Sequence, residues 1–209
     1  MASTFPGAID SFTDPLSNSP LNSPSHSAQH ADLNDAVEKI ETFMGLVKVT
    51  SGTTAGTTNT LAIASSFTSL YQNYLLHLVV RRTTLTADEV LYLQLYASAV
   101  VKNGASDYAY ASEQRYLTTQ SNSGTNAEAS LPLGRYSDKE SVFNITFNSP
   151  QVSTIATQIH SHNVNVQTGF TVDANRCVGI RRAEETNEGV FFYAATNFIS
   201  SYVLYGYRN

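Results

Sequence analysis

The sequence predicts a mainly β protein: an antiparallel β-sandwich of jelly-roll type, preceded by an extended N-terminal arm and one short amphipathic helix. Three observations predict it. Four of the six prolines fall within the first 24 residues, apolar residues at helical spacing fill 28–46, and from Val47 onward the dominant period is two. The expected division is therefore an arm over 1–27, a helix over 28–46 and a β-domain over 47–209. Composition agrees. Apolar residues make up 42% of the 209, enough for a core, while charged residues make up only 14%, against roughly a quarter in an average globular chain. Ser, Thr, Asn, Gln and Tyr fill the difference, which suits short strands joined by polar turns.

Pro6, Pro15, Pro20 and Pro24 punctuate the arm. Proline removes a backbone donor and fixes φ, so this stretch forms neither a helix nor a central strand. Phe5, Ile9, Phe12, Leu16 and Leu21 recur along it. An extended segment with spaced apolar anchors gains order by lying along another protein's surface, which makes these five the docking candidates. The plainer alternative is a loose tail.

In the helix, Leu33, Val37, Ile40 and Met44 alternate in steps of four and three, the seam of a coiled coil, with Gly45 as a natural C-cap. Asp35, Glu38, Lys39 and Glu41 take the other side. A second seam through Leu33, Ala36, Ile40 and Phe43 widens the stripe, which fits a bundle of three chains better than a two-chain zipper. Packing against its own β-domain would also cover the stripe.

The expected strands are 71–82, 89–98, 106–117, 141–147, 155–160, 177–181, 190–195 and 200–207, within a total of about nine. Leu91, Leu93 and Leu95 share one face of the second of these, with Val90, Tyr92, Gln94 and Tyr96 on the other. A capping box at Thr86-x-x-Glu89 and the Asn103-Gly104 pair offer a helix over 87–102 instead. The period-2 leucines, with Tyr and Val among them, decide for strand.

Several function classes are disfavoured. Net charge is −5, and the only basic doublets are Arg81-Arg82 and Arg181-Arg182, far from the footprint that nucleic acid needs. No run approaches the 18 or so apolar residues of a membrane span, and the first residues lack the pattern of a signal peptide. Cys177 lies in an apolar run and reads as a small core residue. No nucleophile elbow, P-loop, dinucleotide fingerprint or Cys-x-x-Cys is present. The acidic pairs Asp88-Glu89 and Glu184-Glu185 would point to opposite faces of a strand and read as solvated loop charges. The expectation is a protein without catalytic residues or cofactors.

Tyrosine is the informative residue: there are twelve, and no Trp. Tyr92 with Tyr96, and Tyr108 with Tyr110, sit at strand spacing and supply amphipathic surface at low entropic cost. They suit a subunit interface or a stacking platform for a sugar, and spacing alone does not separate the two.

The stretches Phe5-Pro6-Gly7-Ala8-Ile9-Asp10-Ser11-Phe12, residues 21–30 (LNSPSHSAQH) and Asp32-Leu33-Asn34-Asp35-Ala36-Val37-Glu38 resemble the opening of tailed-bacteriophage head fibre, minor tail and tail fibre proteins. Tyr71-Gln72-Asn73-Tyr74-Leu75, Ser106-x-Tyr108-x-Tyr110 and the final Tyr205-Gly206-Tyr207-Arg208-Asn209 are similar to β-rich distal domains of the same proteins. The resemblance covers both ends and most of the chain. It implies a homotrimer in the virion, assembled in the host cytoplasm, whose N-terminus docks on a capsid, neck or tail protein. It leaves open a short fibre or spike, a cement protein decorating the capsid, and a module that binds a host cell-surface glycan. Relatives with a His-x-His motif hold iron between three chains, which draws attention to His160 and His162. Two ordinary polar residues on a strand surface is the plainer reading, as is hydrogen bonding along the seam for His26 and His30, one helical turn apart.

Overall fold

The computed structural model describes residues 30–31, 33–37, 45–83, 89–116, 119–166 and 172–207. The arm candidates Phe5, Ile9, Phe12, Leu16 and Leu21, the seam residues Ile40 and Met44, and His26 lie outside them. By its internal contacts the chain divides into a unit of residues 1–47 and a β unit of residues 48–207. In the first unit, residues 30–31 and 33–37 are helical. Ala36 is buried there, whereas Leu33 is 55% and Val37 43% exposed.

The β unit is mainly antiparallel, its described residues forming one sheet of eleven strands. In chain order they are β1 (Val47–Ile63), β2 (Asn73–Arg82), β3 (Glu89–Ala97), β4 (Val100–Val101), β5 (Tyr108–Tyr116), β6 (Thr119–Glu128), β7 (Leu131–Tyr136), β8 (Ser141–Asn148), β9 (Gln158–Val166), β10 (Val172–Arg181) and β11 (Gly189–Tyr207). The order across the sheet is β4-β3-β11-β2-β8-β9-β10-β5-β6, with β1 on β11 and β7 on β3. The segment 89–97 is strand, as its leucines indicate. Two expectations change. The strands expected at 190–195 and 200–207 are one 19-residue strand, whose first part pairs with β3 through 189–193 and whose second pairs with β2 through 198–207, so the chain stays extended as it passes from one partner to the other. The strands expected at 155–160 and 177–181 are shifted or lengthened into β9 and β10, which pair over nine positions.

The sheet curls until β7 lies across β9 and β10. The apolar alternation of the central strands faces the inside of this curl: Leu91, Leu93 and Leu95 from β3, Tyr74, Leu76, Leu78 and Val80 from β2, Phe143, Ile145 and Phe147 from β8, and Val190 and Phe192 from β11, all fully buried. Each such side chain contributes roughly 1.5–3 kcal/mol relative to exposure. Cys177 joins this interior, and burial pushes its thiol up to about 12.

Strand alternation also splits both basic doublets. Arg82 and Arg181 turn inward and are almost fully buried, while Arg81 and Arg182 stay outside. The inward pair recruits one acid from each doublet read as solvated loop charges, Glu89 and Glu185, and Asp107 besides. Arg82 lies 3.6 Å from Glu89, and Arg181 lies 3.1 Å from Asp107 and also pairs with Glu185. Buried guanidinium needs such partners.

Candidate functional site

The inside of the curl changes character along β9 and β10. At one end Ile159 and Gly179 face the apolar core; at the other the inward positions are Ser161, Asn163 and Asn165 on β9, and Asp173 and Asn175 on β10, all buried. Buried amides must be hydrogen-bonded to be tolerated, and these bond one another or Ser141 and Gln114, although Ser161 Oγ, Asn165 Nδ2 and Asp173 Oδ1 find no partner among the described residues. Asn175 Nδ2 donates to Asn163 Oδ1 at 2.8 Å, Ser141 Oγ donates to Asn165 Oδ1 at 2.8 Å, and Gln114 Nε2 donates to Asp173 Oδ2 at 2.9 Å.

This polar end opens into a cleft of about 210 Å³. Its concave wall consists of two rows across β6, β5 and β10. In one, Ser121 lies opposite Gln114, which lies opposite Asn175; in the other, Ser123 lies opposite Ser112. Ser112 and Ser123 share a hydrogen bond of 2.7 Å between their hydroxyls. Tyr110, two residues before Ser112, shares its face. The opposing wall comes from β3 and β7, where Tyr92 pairs with Pro132 and Val90 with Arg135.

Gly134 makes this arrangement fit. Its φ is +137°, it sits at a register shift between β3 and β7, and an added Cβ would stand 2.9 Å from both Asn163 Oδ1 and Asn175 Cβ. A side chain there would lift β7 off the amide ladder.

Of the four tyrosines singled out by spacing, the fold brings Tyr92 and Tyr110 together in this cleft. Tyr108 is fully buried, so a surface role is corrected to a core one. Its hydroxyl accepts from Leu95 N at 2.7 Å and donates to Lys102 O at 3.0 Å, Arg181 lies 5.5 Å from its ring centroid, and burial raises its pKa. Tyr96 stands at the far end of an aromatic row on the outer face of β3 and β11. Tyr92 stacks on Tyr193 at 5.1 Å and 16°, Tyr193 on Phe191 at 6.3 Å and 27°, and Phe191 meets Tyr96 edge-on at 6.1 Å and 88°. Burial also raises the pKa of Tyr92.

Sequence reasoning missed Tyr193, Phe191, Gln114, Asn175 and Arg135. The strand register that aligns Tyr193 with Tyr92 was the missing signal, and polar residues are too common in this chain to stand out individually.

His160 and His162 share the outer face of β9, where His162 lies opposite Asn144 of β8 and Arg176 of β10. Among the described residues no three His, Cys, Asp or Glu side chains come close enough to hold a metal ion. No helix among them is long and apolar enough to cross a membrane. The chain matches no family model, no curated protein and no solved structure.

Proposed function

We propose that the chain is a non-enzymatic structural protein of a tailed-phage particle: a short trimeric fibre or spike whose residues 1–27 dock on a capsid, neck or tail protein and whose β-sandwich head projects from it. The observation that carries this reading is where the core lies. Among the described residues, every buried hydrophobic side chain except Ala36 falls between Leu61 and Leu204. The β unit thus builds its interior from its own strands, as a head that carries its fold independently would.

The resemblance of 5–12 and 21–38 to the openings of virion proteins gives that segment a task, and its spaced apolar residues suit docking on a neighbour. Leu33 and Val37 support a trimer, because a solvent-exposed pair on a coiled-coil seam is what two further copies would cover. Three weak anchors joined in one trimer bind a particle far more tightly than one, through effective concentration.

The test is deletion of residues 1–24. The shortened chain is expected to remain folded and soluble yet to be missing from particles purified on a density gradient. A shortened chain that still incorporates would refute docking through this segment.

A further inference from the structure

We infer that the cleft between β7 and the β5–β6 hairpin binds an acidic saccharide, with one carboxylate-bearing sugar ring held in the cleft. Its two kinds of wall match the two sides of a sugar. Tyr92, Tyr110 and Pro132 supply apolar surface, onto which the C–H face of a pyranose ring can pack and leave water. The opposite wall supplies hydroxyls and amides at the edge of that ring.

Those amides are held in place before any ligand arrives. Gln114 donates its N–H to Asp173 and Asn175 donates one of its own to Asn163, which fixes both side chains and leaves their amide oxygens as oriented acceptors. A ligand rich in hydroxyl donors satisfies them; an apolar ligand would strand them, at a cost. The volume of about 210 Å³ suits one ring rather than a drug-sized molecule.

Charge selects the acidic class. Glu113, the one carboxylate lining the cleft among the described residues, lies 2.6 Å from Arg115 and opposite Arg176 in the ladder, so its charge is matched. Arg135, on the other wall, is exposed and has no ion-pair partner among the described residues. Its planar fork suits a carboxylate. The row Tyr92, Tyr193, Phe191 and Tyr96 leads away from the cleft over half-buried rings, which offers apolar surface to the further units of an oligosaccharide.

The inference does not depend on docking by residues 1–27; either can fail while the other stands. The test is an array of uronate- and sialate-bearing oligosaccharides printed beside neutral counterparts of equal length, probed with the purified full chain and followed by calorimetric titration of the tightest binder. Acidic members are expected to bind in preference to neutral ones. Tyr92→Ala and Tyr110→Ala should each weaken binding about tenfold or more, and Arg135→Gln should remove the preference for the acidic member. Gln114→Met, close in volume, should weaken binding and, because buried Asp173 loses its donor, also lower the thermal unfolding midpoint; a circular dichroism spectrum unchanged at the titration temperature separates lost contacts from lost fold. No binding to any acidic member, equal binding of acidic and neutral members, or an affinity unchanged in Arg135→Gln and Gln114→Met would overturn the assignment.

Discussion

Tyr108 shows how much a single side chain can hold. Its hydroxyl joins β3 to the loop before β5 by accepting from Leu95 N and donating to Lys102 O, in a fully buried position. Tyr108→Phe should lower unfolding stability by about 1–3 kcal/mol in urea titration, because the Leu95 N–H is left buried without a partner. The same burial sets a pH dependence. The folded pKa lies above the ordinary value of about 10. As pH rises past that ordinary value, the unfolded chain loses a proton that the folded chain keeps, so stability falls with rising pH. Removal of the ionisable hydroxyl in Tyr108→Phe should flatten that decline. Cys177, buried and with its thiol pushed up to about 12, should stay unlabelled by a disulfide reagent at pH 8 until denaturant is added; rapid labelling of the folded chain would contradict its place in the core. At this scale the sequence is legible where alternation governs. Cys177 reads as core from its apolar neighbours. Arg82 and Arg181 do not, because a doublet gives no hint which member turns inward until the strand register is known.

Elements were legible in proportion to the contrast between their faces. Strands β2, β3 and β8 carry apolar residues at every second position, and each was recognised close to its observed bounds. Strand β6 (TQSNSGTNAE) is polar on both faces and mostly exposed, so no period marks it; β1, rich in Thr and Gly, is similar over most of its length. The turn between β3 and β4 uses Ser98 and Ala99 at φ 53° and 58°, a two-residue hairpin geometry usually written with Asn and Gly, so its signal was missing. Ala99 N donates to Glu188 Oε2 at 2.9 Å, a long-range contact that helps hold the turn. The part of the cleft contributed by β6 was hidden because no period marks that strand. Strand β7 depends on Gly134. Gly134→Ala should destabilise by about 1–3 kcal/mol, since the new Cβ meets Asn163 and Asn175 in a backbone conformation that side chains disfavour. Thermal unfolding would read the loss, and an unchanged midpoint would show that β7 can lift away without cost.

At the scale of the whole molecule the division of labour between the two units carries the account. Residues 48–207 form a head with its own core, and in the proposed function residues 1–47 supply the attachment and, through Leu33 and Val37, the association of chains. Val37→Asp combined with Ile40→Asp should convert a trimer to monomers in light scattering while leaving the β signature in circular dichroism intact, because a carboxylate on a seam cannot be buried without a partner. A molar mass unchanged by the double substitution would refute association through the helix. The most direct measurement is a cryo-electron microscopy map of the intact phage particle. The account predicts three copies per site, with residues 1–27 extended along a neighbouring subunit and the β units standing clear of it. A particle that lacks the chain, or a map in which residues 1–27 fold back onto their own β unit in a single copy, would contradict it.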